Sequence, residues 1–400
     1  MIKIPYSLEK PDANHITIPC MQRFSHQHRL RTMGMREELL SSIKDFSQTS
    51  PVNNERVEIW LENTLKEGIK DLYITEIELP TEIELLLKNN KAVEQLLNSK
   101  LENNQSARIC SARHVTDFRL LSYNISNNSD GRVISCSFTR LMTLSNKKGN
   151  ESLVYPIFVD ILVDKLLIIG RAKPKSDLYY EDISSLDVSR ASTVSTERIV
   201  RDAMEIISDA LHIKTADGKK ASYNFKNKLY NVLDKYTFTP KIIQDKIDDK
   251  QSFIDEMVAS TMSVFDIPHS SSRDMQSDIN NMAEKYISIN YPDKSIFTAD
   301  RDAYPLKLKA TDEEASRVEQ TSTLDDPLQS KSVFFDNKKM LQNAKSCDGI
   351  TFVFKRIDKT YFGEKFKIEL KVDKGFCIIK FKEFTEECDI QNVLSHIIGS

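Results

Sequence analysis

The run LVYPIFVDILVDKLLIIGRA, residues 153–172, decides how this chain is read. Its length suggests a membrane helix, but Asp160, Asp164 and Lys165 interrupt it and its β-branched content belongs to strands. Asp164-Lys165 reads as the turn of an apolar hairpin. With a two-residue loop, Val163 pairs with Leu166 and Phe158 with Arg171, which brings Asp160 and Arg171 diagonally onto one face. An ion pair between them is expected inside an otherwise oily sheet. Runs that are apolar at both parities imply a sheet covered on both sides.

Working upstream, RVISCSFTRLMTL (132–144) alternates as a strand does, so residues 106–181 read as a basic β-sheet region. It is expected to pack with residues 1–105, a mainly helical region. There NHITIPC (14–20) looks like a short strand. Helices are expected over 36–46, over 55–69 with Val57, Trp60, Leu61, Leu65 and Ile69 on one face, and over 81–101 with Pro80 before it.

Downstream, DISSLDVSRASTVST (182–196) is a Ser/Thr-rich connector and the best boundary. A helical domain is expected over 182–295. Its helices are placed at 197–211, capped by Thr196, and near 222–235, 241–264 and 277–289. Residues 296–345, with prolines and acidic runs, read as an irregular connection. The chain closes with ITFVFKRI, FKIELKVD and FCIIKFKEF, then a helix over 386–398 with Ile390, Val393, Leu394, Ile397 and Ile398 on one face. The expected fold class is α+β: a helical N-terminal region, a central mostly antiparallel sheet, a helical middle segment and a small C-terminal βββα domain (346–400).

At 400 residues the chain exceeds the usual size of one core, so at least two folding units are expected. The opening MIKIPYSLEKPDANH has a proline and charges where a signal peptide needs an apolar core, and no membrane partner is expected. Six cysteines without any CxxC fit reduced thiols in a cytoplasmic protein. Only ten glycines, with neither GxGxxG nor GxxxxGK[ST], exclude the common phosphate loops, and no cofactor is expected.

The net charge of −3 conceals segregation. Residues 106–175 carry 11 Lys and Arg against 5 Asp and Glu, and residues 345–382 carry 10 against 5. Residues 51–105 carry 6 against 11. Basic stretches follow phosphate backbones through counterion release, so the sheet cations Arg119, Arg132, Arg140, Arg171, Lys173 and Lys175 are the candidate nucleic-acid contacts. His26, His28 and Arg29 are possible additions. The competing reading is internal matching, with the acidic helices of 55–102 neutralising the basic sheet.

Three sets of residues were weighed for chemistry. Cys20, His26 and His28, with Cys110 and His114, offer zinc-type ligands, but their spacings are irregular and no metal site is expected. A Cys110–His114 nucleophile is disfavoured, because residues four apart on a strand stand about 13 Å apart. Asp348, Glu369 and Lys371 have the residue types of a metal-dependent nuclease. An E-x-K triplet, however, also arises in any half-buried strand.

The reading is a non-catalytic nucleic-acid-binding protein whose central sheet contacts DNA or RNA. A microbial component of antiviral, phage-defence type is the setting such a profile fits. Two alternatives stand beside it: an interaction subunit of a complex, holding a partner protein through its helices, and the nuclease.

Overall fold

The computed structural model describes all residues except 1, 3, 11–12, 102–107, 110–117, 129–130, 147–148, 181–192, 312–316, 323–325 and 400. The expected connector therefore lies outside the described residues over 182–192. The fold is α+β.

In chain order, helices α1 (Tyr6–Glu9), α2 (Ile18–Gln27), α3 (Arg36–Gln48) and α4 (Pro51–Lys66) precede strand β1 (Asp71–Glu78). Helices α5 (Thr81–Lys88) and α6 (Asn90–Asn98) lead to β2 (Arg119–Asn128), β3 (Gly131–Asn146), β4 (Gly149–Leu162), β5 (Leu167–Ala172) and β6 (Leu178–Tyr180). Then come α7 (Thr196–Ala210), β7 (Lys214–Thr215) and α8 (Gly218–Tyr236). Helices α9 (Lys241–Asp248), α10 (Gln251–Val264) and α11 (Ser272–Asn290) precede β8 (Ala303–Thr311), β9 (Arg317–Thr321), α12 (Ser332–Ala344) and β10 (Gly349–Lys355). The chain ends with β11 (Lys365–Asp373), β12 (Phe376–Phe381) and α13 (Glu387–Ile398), the expected strand–strand–strand–helix order.

The chain forms two compact units. One comprises Met1–Ser222, Arg356–Phe366 and Asp373–Ser395; the other comprises Tyr223–Lys355, Lys367–Val372 and His396–Ser400.

In the first unit the strand order is β2-β3-β4-β5-β1-β12, with β6 on β3 and β7 on β1. Every pairing whose register is defined there is antiparallel. The hairpin keeps the expected register, Phe158 opposite Arg171 and Leu162 opposite Leu167. Its two faces enter different cores. Ile157, Val159, Ile161 and Val163 pack with the α7 residues Ile199, Ala203 and Ile207, whereas Phe158 packs with Leu61 and Leu65 of α4. Helices on both sides explain why the run is apolar at both parities. Gly170 is the point of closest approach: a Cβ there would lie 2.3 Å from Val200 Cγ1 and 2.7 Å from Met204 Sδ. No other residue lets α7 sit so near β5.

Five expectations are corrected. Residues 14–20 are not a strand: Thr17 accepts the Cys20 amide and Pro19 sits in the first turn, so α2 starts at Ile18. The expected helix over 81–101 is two, because Asn89 stops α5 and its side chain caps α6 by accepting from Lys91 and Ala92. Likewise 241–264 divides into α9 and α10. Residues 296–345 are not an irregular connection, since they carry β8, β9 and α12. In α7 the cap is Ser195, whose hydroxyl accepts from Arg198, and Thr196 is the first helical residue. Strand β1 has no counterpart among the elements expected from sequence. It pairs with both β5 and β12.

In the second unit the strand order is β11-β10-β8-β9. Ile243 and Ile247 of α9, Ile254 of α10 and Phe297 make a small core, with Ile279, Ala283 and Ile287 of α11 packed on it. Among the described residues no helix is long and apolar enough to cross a membrane.

Candidate functional site

The sheet cations do not share one fate. Arg171 is 2% exposed; its guanidinium engages Glu387 and lies 3.5 Å from Asp160, the expected pair. Lys173 is buried, and its Nζ donates to the carbonyls of Ala13 and, at 2.8 Å, Asn14. Burial, and then the charge of Lys175, push Lys173 down to about 7. Arg140 is buried between the rings of Phe118 and Tyr180, 4.7 and 3.8 Å from their centroids. These three side chains are withdrawn from any phosphate backbone.

The others stay nearer the surface. Arg132 donates to Asn90 Oδ1 at 2.6 Å, and its amide to Asp164 at 2.6 Å. Lys175 is half-buried, with its amide on Thr196 Oγ1. Arg119 begins β2, and its side chain lies outside the described residues. His26 and Arg29 are exposed, whereas His28 stacks on Phe24 and Phe46 at 4.3 and 5.2 Å.

Internal matching continues elsewhere in this unit. Arg108 faces Glu55, Glu58 and Glu62 of α4 at 3.7, 3.7 and 2.8 Å. Arg23 bridges Glu67 at 2.6 Å and Glu386. Arg356 and Asp389, both nearly inaccessible, pair at 3.1 Å. Glu55, Glu58, Glu62 and Glu67 of the acidic stretch thus neutralise Arg108 and Arg23, whereas the sheet cation Arg171 is matched by Asp160 and Glu387 from outside that stretch.

Of the nuclease residues, Lys371 lies beside Gly349, its Cα 3.7 Å from where a Cβ there would stand, whereas Asp348 and Glu369 are not brought together. Asp348 is held by Lys226 at 2.6 Å and Thr311 at 2.7 Å. Its carbonyl accepts from Val372. Glu369 lies three residues from Val372, about 10 Å along the strand and on the opposite face. Cys110 and His114 lie outside the described residues. Cys20 is buried with its thiol pushed up to about 11, mainly by desolvation, which keeps it protonated and poorly suited to a metal. Glu386, Cys388 and Asp389 gather within 4.8 Å, but Arg23 and Arg356 already neutralise the two carboxylates.

The second unit offers a different surface. α10 is apolar on two faces. Ile254, Val258 and Met262 are buried, while Phe253, half-buried Met257 and Val264 recur on another side at helical spacing. Phe253, Val264 and Phe265 are 59, 70 and 71% exposed. A cleft of about 710 Å³ opens along α10 and the start of α11, lined by Val258, Ala259, Met262 and Ile267 with Asp255, Asp266 and His269. Gln276 donates to Asp255 across it at 2.6 Å. Residues 241–290 carry 9 Asp and Glu against 5 Lys and Arg, so the surroundings are acidic. From sequence these segments read only as helices; the apolar residues on two faces of α10 were the signal that could have singled it out. No protein-family model matches the chain, and no curated protein matches it.

Proposed function

We propose that this chain is a non-catalytic interaction subunit that docks a partner protein on α10 and α11. The single observation that carries the reading is the second apolar face of α10. A helix apolar on two faces is ordinarily covered on both, and Phe253 and Val264 leave one of them open to water, with Phe265 exposed just past the helix end. The acidic residues around the adjoining cleft favour an amphipathic segment with apolar anchors and Lys or Arg beside them. Nucleic acid was the expected partner of the central sheet. Burial of Arg140, Arg171 and Lys173 turns the reading toward protein.

A photo-crosslinking side chain placed at Phe265 in cells tests it, against the same group at Tyr6, which is 76% exposed. Protein adducts specific to position 265 are expected. They should disappear when Phe253→Ser and Val264→Ser are combined, with the unfolding temperature unchanged. Identical adducts at both positions, or adducts removed by nuclease, would overturn the proposal.

A further inference from the structure

We propose that the start of α13 holds a thiophilic divalent cation, of the zinc class, on Cys388, Glu386 and Asp389. The inference concerns the first unit and does not rest on the docking role.

Three ligand atoms already converge. The Cys388 thiol and one oxygen each of Glu386 and Asp389 lie within 4.8 Å of one another. Around a tetrahedral zinc ion such atoms stand roughly 3.3–3.8 Å apart, so side-chain movements of about an ångström close the set. One sulfur with two carboxylate oxygens suits a borderline-soft ion better than calcium or magnesium, which take oxygen alone. Cys388 is exposed, which gives the ion a path from solvent and leaves a fourth position for water.

A second, independent observation is a buried oxygen with no donor. Glu386 is 2% exposed; its Oε1 accepts from Arg23, while its Oε2 has no hydrogen-bond partner among the described residues. Leaving such an atom bare is costly. The charges do not balance either. Arg23 is divided between Glu386 and Glu67, and Arg356 serves Asp389, so two guanidiniums face three buried carboxylates. A divalent cation bound through a Cys388 thiolate adds one net positive charge and closes that deficit. The S–H proton leaves to solvent as the sulfur–metal bond forms. Burial, then Asp389 and Glu386, push the free thiol up, so the thiolate forms with the metal and not before it.

The test is a Co²⁺ titration of the full chain after chelator treatment, read by thiolate-to-cobalt charge-transfer absorption. Wild type should bind a single equivalent, and Zn²⁺ should displace it with loss of the band. Cys388→Ser should remove the band while keeping the metal-free unfolding temperature of wild type, since the position is exposed. Glu386→Gln should weaken binding by at least about tenfold, the loss that removing even an outer-shell partner brings. Should Glu386→Gln fail to fold, Cys388→Ser decides alone. A wild type without the band would leave a proton on Glu386 as the balancing charge and overturn the site. A band that persists in Cys388→Ser would place the metal on another thiol and overturn it equally.

Discussion

Across the β4–β5 hairpin the Arg171 guanidinium stands 3.5 Å from the Asp160 carboxylate, and Glu387 at the start of α13 holds the same guanidinium from another side. Two carboxylates on one buried cation differ in exposure, Asp160 at 17% and Glu387 at 37%, against 2% for Arg171.

Removing the cation is therefore the severe change. Arg171→Met should lower the unfolding free energy by about 3 kcal/mol, because Asp160 is left partly buried and unpaired. Asp160→Asn should cost about 1 kcal/mol, since Glu387 still compensates the guanidinium. Denaturant melts of both variants check this, and equal losses would contradict the ranking.

At Gly170 the obstacle is space. Gly170→Ala places a methyl against Val200 and Met204, and α7 must move off β5. A loss of about 1–3 kcal/mol is expected. Pairing it with Met204→Ala should recover part of that loss, measured by a double-mutant cycle.

Lys173 gives a pH dependence with a definite sign. Its folded-state value, about 7, lies below its ordinary 10.5, so between these limits the unfolded chain binds the additional proton. The contribution of this group is fully present above about 10.5 and is lost as pH falls through about 7. Wild-type stability should therefore rise from pH 7 toward 10 more steeply than that of Lys173→Met. Identical slopes in chemical melts at pH 7, 8 and 9 would contradict the assignment.

Arg171 and Lys173 also separate structure from recognition. Were they phosphate contacts, neutralising both would flatten the salt dependence of DNA or RNA retention. The expected outcome is a lower unfolding temperature with the salt slope unchanged, measured by filter binding from 50 to 200 mM salt.

Periodicity within short stretches made much of the architecture legible. The register of Phe158 with Arg171 follows from a turn at Asp164-Lys165 and side-chain alternation, both properties of neighbouring residues. The apolar faces of α4 and α7 follow likewise. Local pattern failed where a cap overrode it, as at Thr17 and Asn89. It also failed for β1, whose alternating run between two helical stretches acquires its role only by pairing with β5 and β12.

The amino-acid order by itself determined many of the strands and helices, and that Arg171 faces Asp160, because these depend on steric and hydrophobic preferences acting within a few residues. Only the tertiary structure decided what the charges do. Glu387 reaches Arg171 from 216 positions away, and the carbonyl of Ala13 reaches Lys173 from 160. Whether a cation meets water or a remote carboxylate is set by which distant segment packs over it, and burial, not charge count, then fixes its electrostatic role.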